Sequence, residues 1–331
     1  MLSVALVTGA TGAIGPSLVN QLLDNGYTVR TYNLSRPSSD LFDNDKVISF
    51  QGDITDGAAL GEALAGVEVV FHLAALLHIE NPTPDMAPRY WRVNVEGSRI
   101  VAEEAARAGV RRLVYFSTVK VYGVQQREPV TELHPTNPKT IYAQTKLEGE
   151  RAVCAVEGLE TVVLRLSAVY GPRLRGSWDR LVKAIQRGWF LPVGNLQNVH
   201  SLTYVSDVAR AAQLAAEHPD MAGGIYNVVG YETPAMREIL GAIYSLLGRR
   251  LPAMRIPAHL ALLSAHIAEK GLALANRRSP VTPDSVRQLF QDEAYSGTAL
   301  RSFGFDPSVS LEEGWREAVF GKVDTYALRT G

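Results

Sequence analysis

The chain has 331 residues, with 33 Lys and Arg against 34 Asp and Glu, which gives a formal charge of -1. At about 150 residues per domain, this length predicts two domains, or one large α/β domain with an appended part. The near-neutral charge excludes the basic footprint of a nucleic-acid-binding protein, and a hydrophobic content of 46% excludes disorder over the whole chain.

The single cysteine, Cys154, excludes an intrachain disulfide and any multi-cysteine metal site. We expect it to be inert and packed in a helix over residues 147–157, since free cysteine is among the most buried residue types. The seven histidines have no ligand spacing, so we predict no metal.

No apolar stretch reaches the ~20 residues that a membrane span needs. The nearest, residues 256–275, is interrupted by His259, His266, Glu269 and Lys270. The opening MLSVALVTGATG has no basic segment or cleavage site of a signal peptide. We therefore expect a cytoplasmic protein without a membrane partner.

In chain order, short apolar runs alternate with segments of helical periodicity. The runs predict strands over residues 4–7, 27–32, 47–50, 67–73, 113–116 and 161–166. The periodic segments predict helices over residues 14–23, 57–65, 88–108 and 142–156. Repeated strand–helix–strand units predict an α/β fold, with a doubly wound parallel sheet and helices on both faces.

After Tyr170, Gly171 and Pro172 this alternation ends. Helices are predicted over residues 178–186, 208–217 and 235–247, and short strands over 202–205 and 225–228. We therefore divide the chain into a sheet domain, residues 1–170, and a smaller, mainly helical part, residues 171–331. This second part is expected to bind substrate and to be partly interleaved with the sheet.

A glycine-rich turn, TGATGAIG, lies between the first strand and the first helix. Its Gly9, Gly12 and Gly15 have the spacing G-x-x-G-x-x-G. Backbone amides at a helix N-terminus bind a pyrophosphate, and glycine lets the phosphates approach closely. In this position the turn predicts a Rossmann-type dinucleotide site.

Two further motifs carry side chains suited to proton transfer. Tyr142 and Lys146 lie four residues apart on a predicted helix and so share a face. An ammonium near a phenol is expected to lower the phenol pKa from about 10, which suits a general acid or base. Ser117 and Thr118 end the fifth strand, where ligands of open α/β sheets bind.

Together these motifs resemble the extended short-chain dehydrogenase/reductase superfamily, the NAD(P)-dependent epimerase/dehydratase group. Supporting segments in order are GDITD (52–56), FHLAA (71–75), VNVEG (93–97), LRLSAVYGP (164–172), TYVSDVA (203–209), YNV (226–228) and FGFDP (303–307). The resemblance covers nearly the whole chain, and it implies an enzyme rather than a cofactor-sensing regulator without turnover.

By this resemblance, Thr118, Tyr142 and Lys146 form the catalytic triad, with Ser117 as the alternative to Thr118. Tyr142 would exchange the proton, Lys146 would hold the nicotinamide ribose, and Thr118 would orient the reacting oxygen. Asn94 would support the active-site backbone. The implied cofactor-binding residues are Gly9, Gly12, Ile14, Gly15, Ser35, Arg36, Asp53, Ile54, Ala74, Ala75 and Lys146.

Departures from the family pattern narrow the function. Val119 and Lys120 follow Thr118, where dehydratases carry an acidic pair, so a 4,6-dehydratase is not expected. The second strand ends without the acid of NAD-preferring members, and Ser35 with Arg36 could hold a 2′-phosphate. The expected cofactor is therefore NADP or NAD, with NADP favoured.

The first substrate hypothesis is a nucleotide-sugar that undergoes hydride transfer at sugar C4, by a 4-epimerase or a 4-ketoreductase. Family members often have an arginine for the diphosphate where this chain has His200. Other candidate phosphate contacts are Arg173, Arg175, Arg180 and Arg287. The alternative is a 3β-hydroxysteroid-dehydrogenase-like enzyme, favoured by His200 and the apolar stretch 257–275. The resemblance also implies a homodimer formed by helices 88–108 and 142–156.

Overall fold

Seven parallel strands form the main sheet in a computed structural model that describes residues 3–38, 41–42, 44–77, 86–123, 126–173, 177–274, 283–288 and 290–321. In chain order the strands are β1 (Val4–Thr8), β2 (Thr28–Asn33), β3 (Val47–Gln51), β4 (Val69–His72), β5 (Arg112–Thr118), β6 (Glu160–Leu166), β7 (Ala168–Tyr170), β8 (Leu202–Tyr204) and β9 (Ile225–Val228). The sheet order is β3-β2-β1-β4-β5-β6-β9, and β7 pairs with β8 separately.

The strands run outward from β1 in two directions: β2 and β3 follow on one side, and β4, β5, β6 and β9 follow on the other. The strand order therefore reverses between β1 and β4. Such a switch point is where open α/β sheets bind ligands, just beyond the carboxyl ends of the strands. The α/β class and the doubly wound parallel sheet predicted from the sequence are confirmed.

The helices in chain order are α1 (Gly15–Asp24), α2 (Gly57–Leu64), α3 (Ala87–Trp91), α4 (Ser98–Arg107), α5 (Ile141–Cys154), α6 (Ser177–Gln186), α7 (Val205–Glu217), α8 (Met236–Leu246), α9 (Ala258–Leu274), α10 (Pro283–Gln288), α11 (Thr298–Arg301) and α12 (Leu311–Phe320). A π-helical segment, Arg92–Gly97, joins α3 to α4. The predicted helix over 88–108 is therefore one continuous rod with a wider turn inside it.

Side chains alternate between the two faces of the sheet, as the period of two in a strand requires. Ala5 and Val7 of β1 pack with Leu18 of α1 and Val208 of α7. Leu6 packs on the opposite face, in the cluster that contains residues of α2 and α4. Because both faces are covered at the centre of the sheet, β1 and β4 are nearly continuous apolar runs.

The second half of the chain contributes to the sheet, since β9 pairs in parallel with β6 and α7 packs against α1. The division of the chain near residue 170 stays a prediction. The expectation for Cys154 is wrong: it is exposed, and its neighbour Val153 is the buried residue at the end of α5. Within the described residues, no helix is long and apolar enough to cross a membrane.

Candidate active site

A cleft of about 800 Å³ lies beyond the carboxyl ends of β1, β2, β3 and β4. Of the predicted cofactor residues, those that line it are Gly9, Gly12, Ile14, Gly15, Ser35, Asp53, Ile54, Ala74 and Ala75. Arg36 is exposed and, like Lys146, is not among the lining residues. The sequence motifs thus converge on one cleft although they come from four separate connections.

The glycine-rich turn is shaped by close backbone packing. Gly9 has a φ of +70°, and a Cβ there would lie 2.8 Å from Ala74 Cα. A Cβ on Gly15 would lie 2.0 Å from the carbonyl oxygen of Ala10. Helix α1 begins here with no side-chain cap on Ile14, and Gly12, Ile14 and Gly15 line the cleft, so the start of the helix lies at the cleft. This is the geometry that receives a pyrophosphate.

The end of β2 carries Asn33, and this buried side chain holds the glycine-rich turn in place. The Thr11 amide donates to Asn33 Oδ1 at 3.0 Å, and Asn33 Nδ2 donates to Thr31 Oγ1 at 3.1 Å. Ser35 lies in the cleft two residues further on. No carboxylate therefore occupies the end of β2.

At the far end of the cleft, the Tyr32 ring lies under the backbone of Gly52, where a Cβ would come within 2.0 Å of its hydroxyl oxygen. Asp53 Oδ1 accepts from the amide and the hydroxyl of Thr55, both at 2.9 Å. Asp53 therefore stabilises its own turn, and this turn brings Ile54 to the cleft wall.

A buried hydrogen-bonded chain runs behind the cofactor channel. The Ala74 amide donates to Thr8 Oγ1 at 3.3 Å, and Thr8 Oγ1 lies 2.7 Å from His72 Nδ1. On the other side, His72 Nε2 lies 3.0 Å from Ser98 Oγ, which donates to the Asn94 carbonyl at 2.8 Å. Because the Ser98 hydroxyl donates to the Asn94 carbonyl, it accepts from His72, so we assign the imidazole proton to Nε2. Burial, with the charge of Lys146, lowers the pKa of His72 to about 3 and keeps the ring neutral.

Asn94 holds the next part of the same channel. Its Oδ1 accepts from the Leu76 amide at 2.7 Å, and its Nδ2 donates to the Leu76 carbonyl at 3.1 Å and to Thr145 Oγ1 at 3.2 Å. Asn94 lies in the π-helical segment, Thr145 lies on α5, and Leu76 lies in the connection after β4. The Asn94 side chain therefore joins these three parts of the chain. The expected backbone-supporting role of Asn94 agrees with this geometry.

Tyr142 and Lys146 lie one turn apart on α5, and Thr118 ends β5. Thr118 Oγ1 accepts from the Lys120 amide at 3.3 Å, which leaves its hydroxyl hydrogen for another acceptor. Burial lowers the pKa of Lys146 to about 7, although the charge of Glu150 opposes this. Burial, followed by the neighbouring Tyr90, raises the pKa of Tyr142 to about 12.

The expected lowering of the Tyr142 pKa by Lys146 is therefore wrong for the chain alone. The reason is physical: Lys146 is itself buried, and its Nζ lies 4.0 Å over the ring centre of Tyr115. A buried ammonium that loses its proton near pH 7 gives little stabilisation to a phenolate. Tyr142 is consequently poised as a neutral phenol, which can donate a proton.

Ser117, the alternative to Thr118, is engaged elsewhere. Its hydroxyl donates to Glu150, which forms a buried ion pair with Arg165 of β6 at 2.7 Å. The guanidinium of Arg165 also lies 4.9 Å over the ring of Tyr122. Thr118 is the residue whose hydroxyl remains available at the strand end.

The position expected to hold a diphosphate-binding arginine contains a buried histidine. His200 Nδ1 lies 3.9 Å from Glu293, its Nε2 lies 2.7 Å from Asn198, and its ring meets Trp178 edge-on. Although burial opposes it, hydrogen bonding from His200 and the charge of Lys120 lower the pKa of Glu293. An ionised carboxylate therefore lies near Lys120, two residues beyond Thr118.

Sequence reasoning missed two cleft residues, Arg89 and Arg92, which lie three residues apart on the rod formed by α3 and the π-helical segment. The sequence signal that could have identified them is the spacing of three residues, which places both arginines on one face of the helix that follows the fourth strand. Of the other arginines considered, Arg173, Arg180 and Arg287 are exposed. Arg175 lies outside the described residues. In the part of the chain that the structure describes, no three His, Cys, Asp or Glu side chains cluster as metal ligands.

The fold and the cleft define an extended short-chain dehydrogenase/reductase, an enzyme built around a nicotinamide dinucleotide. Residues 5–229 match the NAD dependent epimerase/dehydratase family, and the chain belongs to it. The family assignment made from the sequence is confirmed.

Three relatives illustrate the range of this family. A 4-epimerase of N-acetyl-alpha-D-glucosaminyl-diphospho-ditrans,octacis-undecaprenol from Escherichia coli O157:H7 is 26% identical, covering 93% of this chain and 92% of that protein. The decarboxylating sterol-4-alpha-carboxylate 3-dehydrogenase of Mus musculus is 29% identical, covering 93% and 87%. The solved structure of MoeE5 with UDP-glucose and NAD is 26% identical, covers 95% and 97%, and superposes with a TM-score of 0.75.

Proposed function

We propose that this enzyme transfers a hydride at C4 of the sugar of a nucleotide-sugar, as a 4-epimerase or a 4-ketoreductase. The observation that carries the proposal is one cleft, which is lined by the uncapped start of α1 and the Asp53–Ile54 turn. Thr118 ends β5, the strand that pairs with β4, and Tyr142 lies at the start of α5, which packs against β5. The bound nicotinamide supplies the hydride acceptor and donor.

The residues of the chain divide the remaining work. The backbone amides that follow Gly12 would hold the pyrophosphate, and Ala74 and Ala75 line the channel. Tyr142 exchanges the proton with the reacting oxygen, and Thr118 donates a hydrogen bond to that oxygen. Lys146 lies on the same face of α5 and would hold the nicotinamide ribose.

The nucleotide-sugar class is supported by relatives. MoeE5 carries UDP-glucose in one solved structure and UDP-glucuronic acid in another, at 26% and 27% identity. The Escherichia coli relative acts on a sugar joined to a diphosphate. The proposal includes a homodimer through the helices over residues 88–108 and 142–156, a cytoplasmic location, and NADP in preference to NAD.

One observation favours a second candidate, a 3β-hydroxysteroid-type alcohol. His200 and Glu293 place a partly buried, ionised carboxylate at the position where a diphosphate would need a cation. A sterol carries no such anion, and the mouse relative acts on a sterol. The two candidate substrates differ in charge, so the experiment should compare charged with uncharged ligands.

The experiment is a thermal-shift panel on the cofactor-loaded protein with UDP, UDP-sugars and steroids. Because a ligand that binds only the folded state stabilises it, UDP and UDP-sugars should raise Tm. Their effect should weaken with salt, whereas a steroid effect should not. Stabilisation by steroids alone would replace the first candidate with the second. Net consumption of cofactor then separates a ketoreductase from an epimerase, which regenerates it.

A further inference from the structure

Helix α9 has three large apolar side chains turned outward, while Leu262 packs inward. Ala261 and Ala265, one turn apart, are buried against Val286 of α10. Leu260, Leu263 and Ile267 are 48%, 56% and 64% exposed, and their spacing places them on one stripe. A surface helix normally turns its larger apolar residues to the core, so this stripe marks an interaction surface.

A neighbouring segment extends the stripe. The Ile256 amide donates to the Pro192 carbonyl at 2.9 Å, and the Gly194 amide donates to the Ile256 carbonyl at 2.9 Å. The residues before these contacts are exposed as well, with Trp189 at 78%, Leu191 at 43% and Met254 at 70%. We call the six residues Trp189, Leu191, Met254, Leu260, Leu263 and Ile267 the apolar face.

The charge around this face is one-sided in a chain whose formal charge is -1. Residues 248–278 contain a single acid, Glu269. Their basic residues are Arg249, Arg250, Arg255, Lys270, Arg277 and Arg278. Among the described ones, Arg250, Arg255 and Lys270 are exposed, and the Arg187 guanidinium lies 5.6 Å over the Trp189 ring.

We propose that the apolar face docks on an anionic lipid surface, with α9 lying in the plane of the interface. Apolar side chains enter the headgroup–acyl boundary while basic side chains meet anionic headgroups. Trp189 has the amphipathic ring that favours this depth. A helix lying on a membrane needs no spanning stretch, so the sequence argument against a span does not apply to it.

The basic charge around the apolar face also favours a bilayer over a second copy of this chain. A second copy of this chain seated on the same face by a two-fold axis would bring the two basic surroundings together, and like charges oppose such a contact. An anionic bilayer satisfies the basic residues and the apolar stripe at once. The proposed dimer helices α4 and α5 are separate elements, so both contacts can exist in one molecule.

The test is co-sedimentation of the full chain with vesicles of phosphatidylglycerol mixed with phosphatidylcholine, compared with phosphatidylcholine alone. We expect binding to the anionic vesicles and weaker binding at high salt. The double variant Leu263→Gln with Ile267→Gln should lose at least about tenfold in vesicle affinity, since each substitution removes a large apolar group that the lipid would bury. Arg250→Gln with Lys270→Gln should weaken binding to anionic vesicles selectively.

Leu133→Gln is the matched control, because Leu133 is 96% exposed and lies outside the apolar face. It should bind vesicles like the native chain. Equal melting temperatures would establish that all variants are folded. Absence of vesicle binding by the native chain, or equal binding by the Leu263/Ile267 variant, would overturn the proposal. If the native chain does not bind vesicles and the Leu263/Ile267 variant changes its oligomeric state, the apolar face is an interface between copies and the lipid proposal is overturned.

Discussion

The Nζ atom of Lys146 lies 4.0 Å from the ring centre of Tyr115, in a position almost closed to solvent. An aromatic face attracts an ammonium, but burial works against the charge and lowers the Lys146 pKa to about 7. The charge state of this lysine therefore changes near neutral pH in the cofactor-free chain, while that of Tyr142 does not.

This pKa predicts a pH dependence of stability. Between about pH 7 and 10.5 the unfolded chain keeps the Lys146 proton and the folded chain releases it, so folding is favoured as pH rises. The free energy of unfolding should increase across this window, by at most about 1.4 kcal/mol per pH unit. Lys146→Met should remove the increase, whereas Lys139→Met, at an exposed lysine, should retain it. Chemical denaturation at several pH values measures this, and identical pH profiles for native chain and Lys146→Met would contradict it.

Removal of the Tyr142 hydroxyl should abolish proton transfer and spare cofactor binding. General acid/base groups contribute ~10²–10⁴ in rate, so Tyr142→Phe should lose turnover in that range on the substrate that the thermal-shift panel identifies. Steady-state kinetics and cofactor titration measure the two effects separately. Tyr231→Phe, at an exposed tyrosine, is the control. Near-native turnover in Tyr142→Phe would remove this residue from the mechanism.

Cofactor choice should depend on the connection after β2. With Asn33 in place of an acid and Ser35 in the cleft, NADP should bind at least as tightly as NAD. Arg36→Ala should weaken NADP binding selectively, because the 2′-phosphate is the anionic group that NADP has and NAD lacks. Calorimetric titration of both cofactors into the native chain, Arg36→Ala and the exposed-arginine control Arg127→Ala tests this. A clear NAD preference in the native chain would contradict it.

The buried His72 should make the fold sensitive to acid. Its folded pKa of about 3 lies below the ordinary 6.5, so the unfolded chain binds the proton first. The stability it contributes is complete above pH 6.5 and is lost progressively as pH falls toward 3. His72→Asn should lack this component, and His266→Asn, at an exposed histidine, should keep it. Parallel loss of stability in native chain and His72→Asn would show that other groups cause it.

Local sequence patterns predicted the strands of the main sheet and most of the cleft. A parallel strand covered on both faces is an apolar run, and the glycine-rich turn is contiguous in sequence, so neither needs tertiary information. The same reasoning misplaced Cys154, because adjacent helical residues point about 100° apart and only packing decides which is buried.

Contacts between distant elements were not predictable from the sequence. The ion pair of Glu150 and Arg165 depends on α5 packing beside β6, and the lowered pKa of Lys146 depends on its burial where α5 packs against β5. The outward stripe of α9 was also hidden, since an apolar composition does not reveal which side of a helix meets the protein. The sequence analysis used that stretch as support for a steroid substrate, and the structure places Leu260, Leu263 and Ile267 of it at the surface.

The π-helical segment Arg92–Gly97 contains one residue more per turn than an α-helix would. Deletion of one residue just before Asn94 would restore an ordinary α-helix and turn that side chain by about 100°. Leu76 would then lose both of its hydrogen bonds to Asn94, although the rod itself would survive. This stretch should therefore tolerate a substitution at the exposed Glu96 but no change in length, so natural variants should keep the same number of residues here.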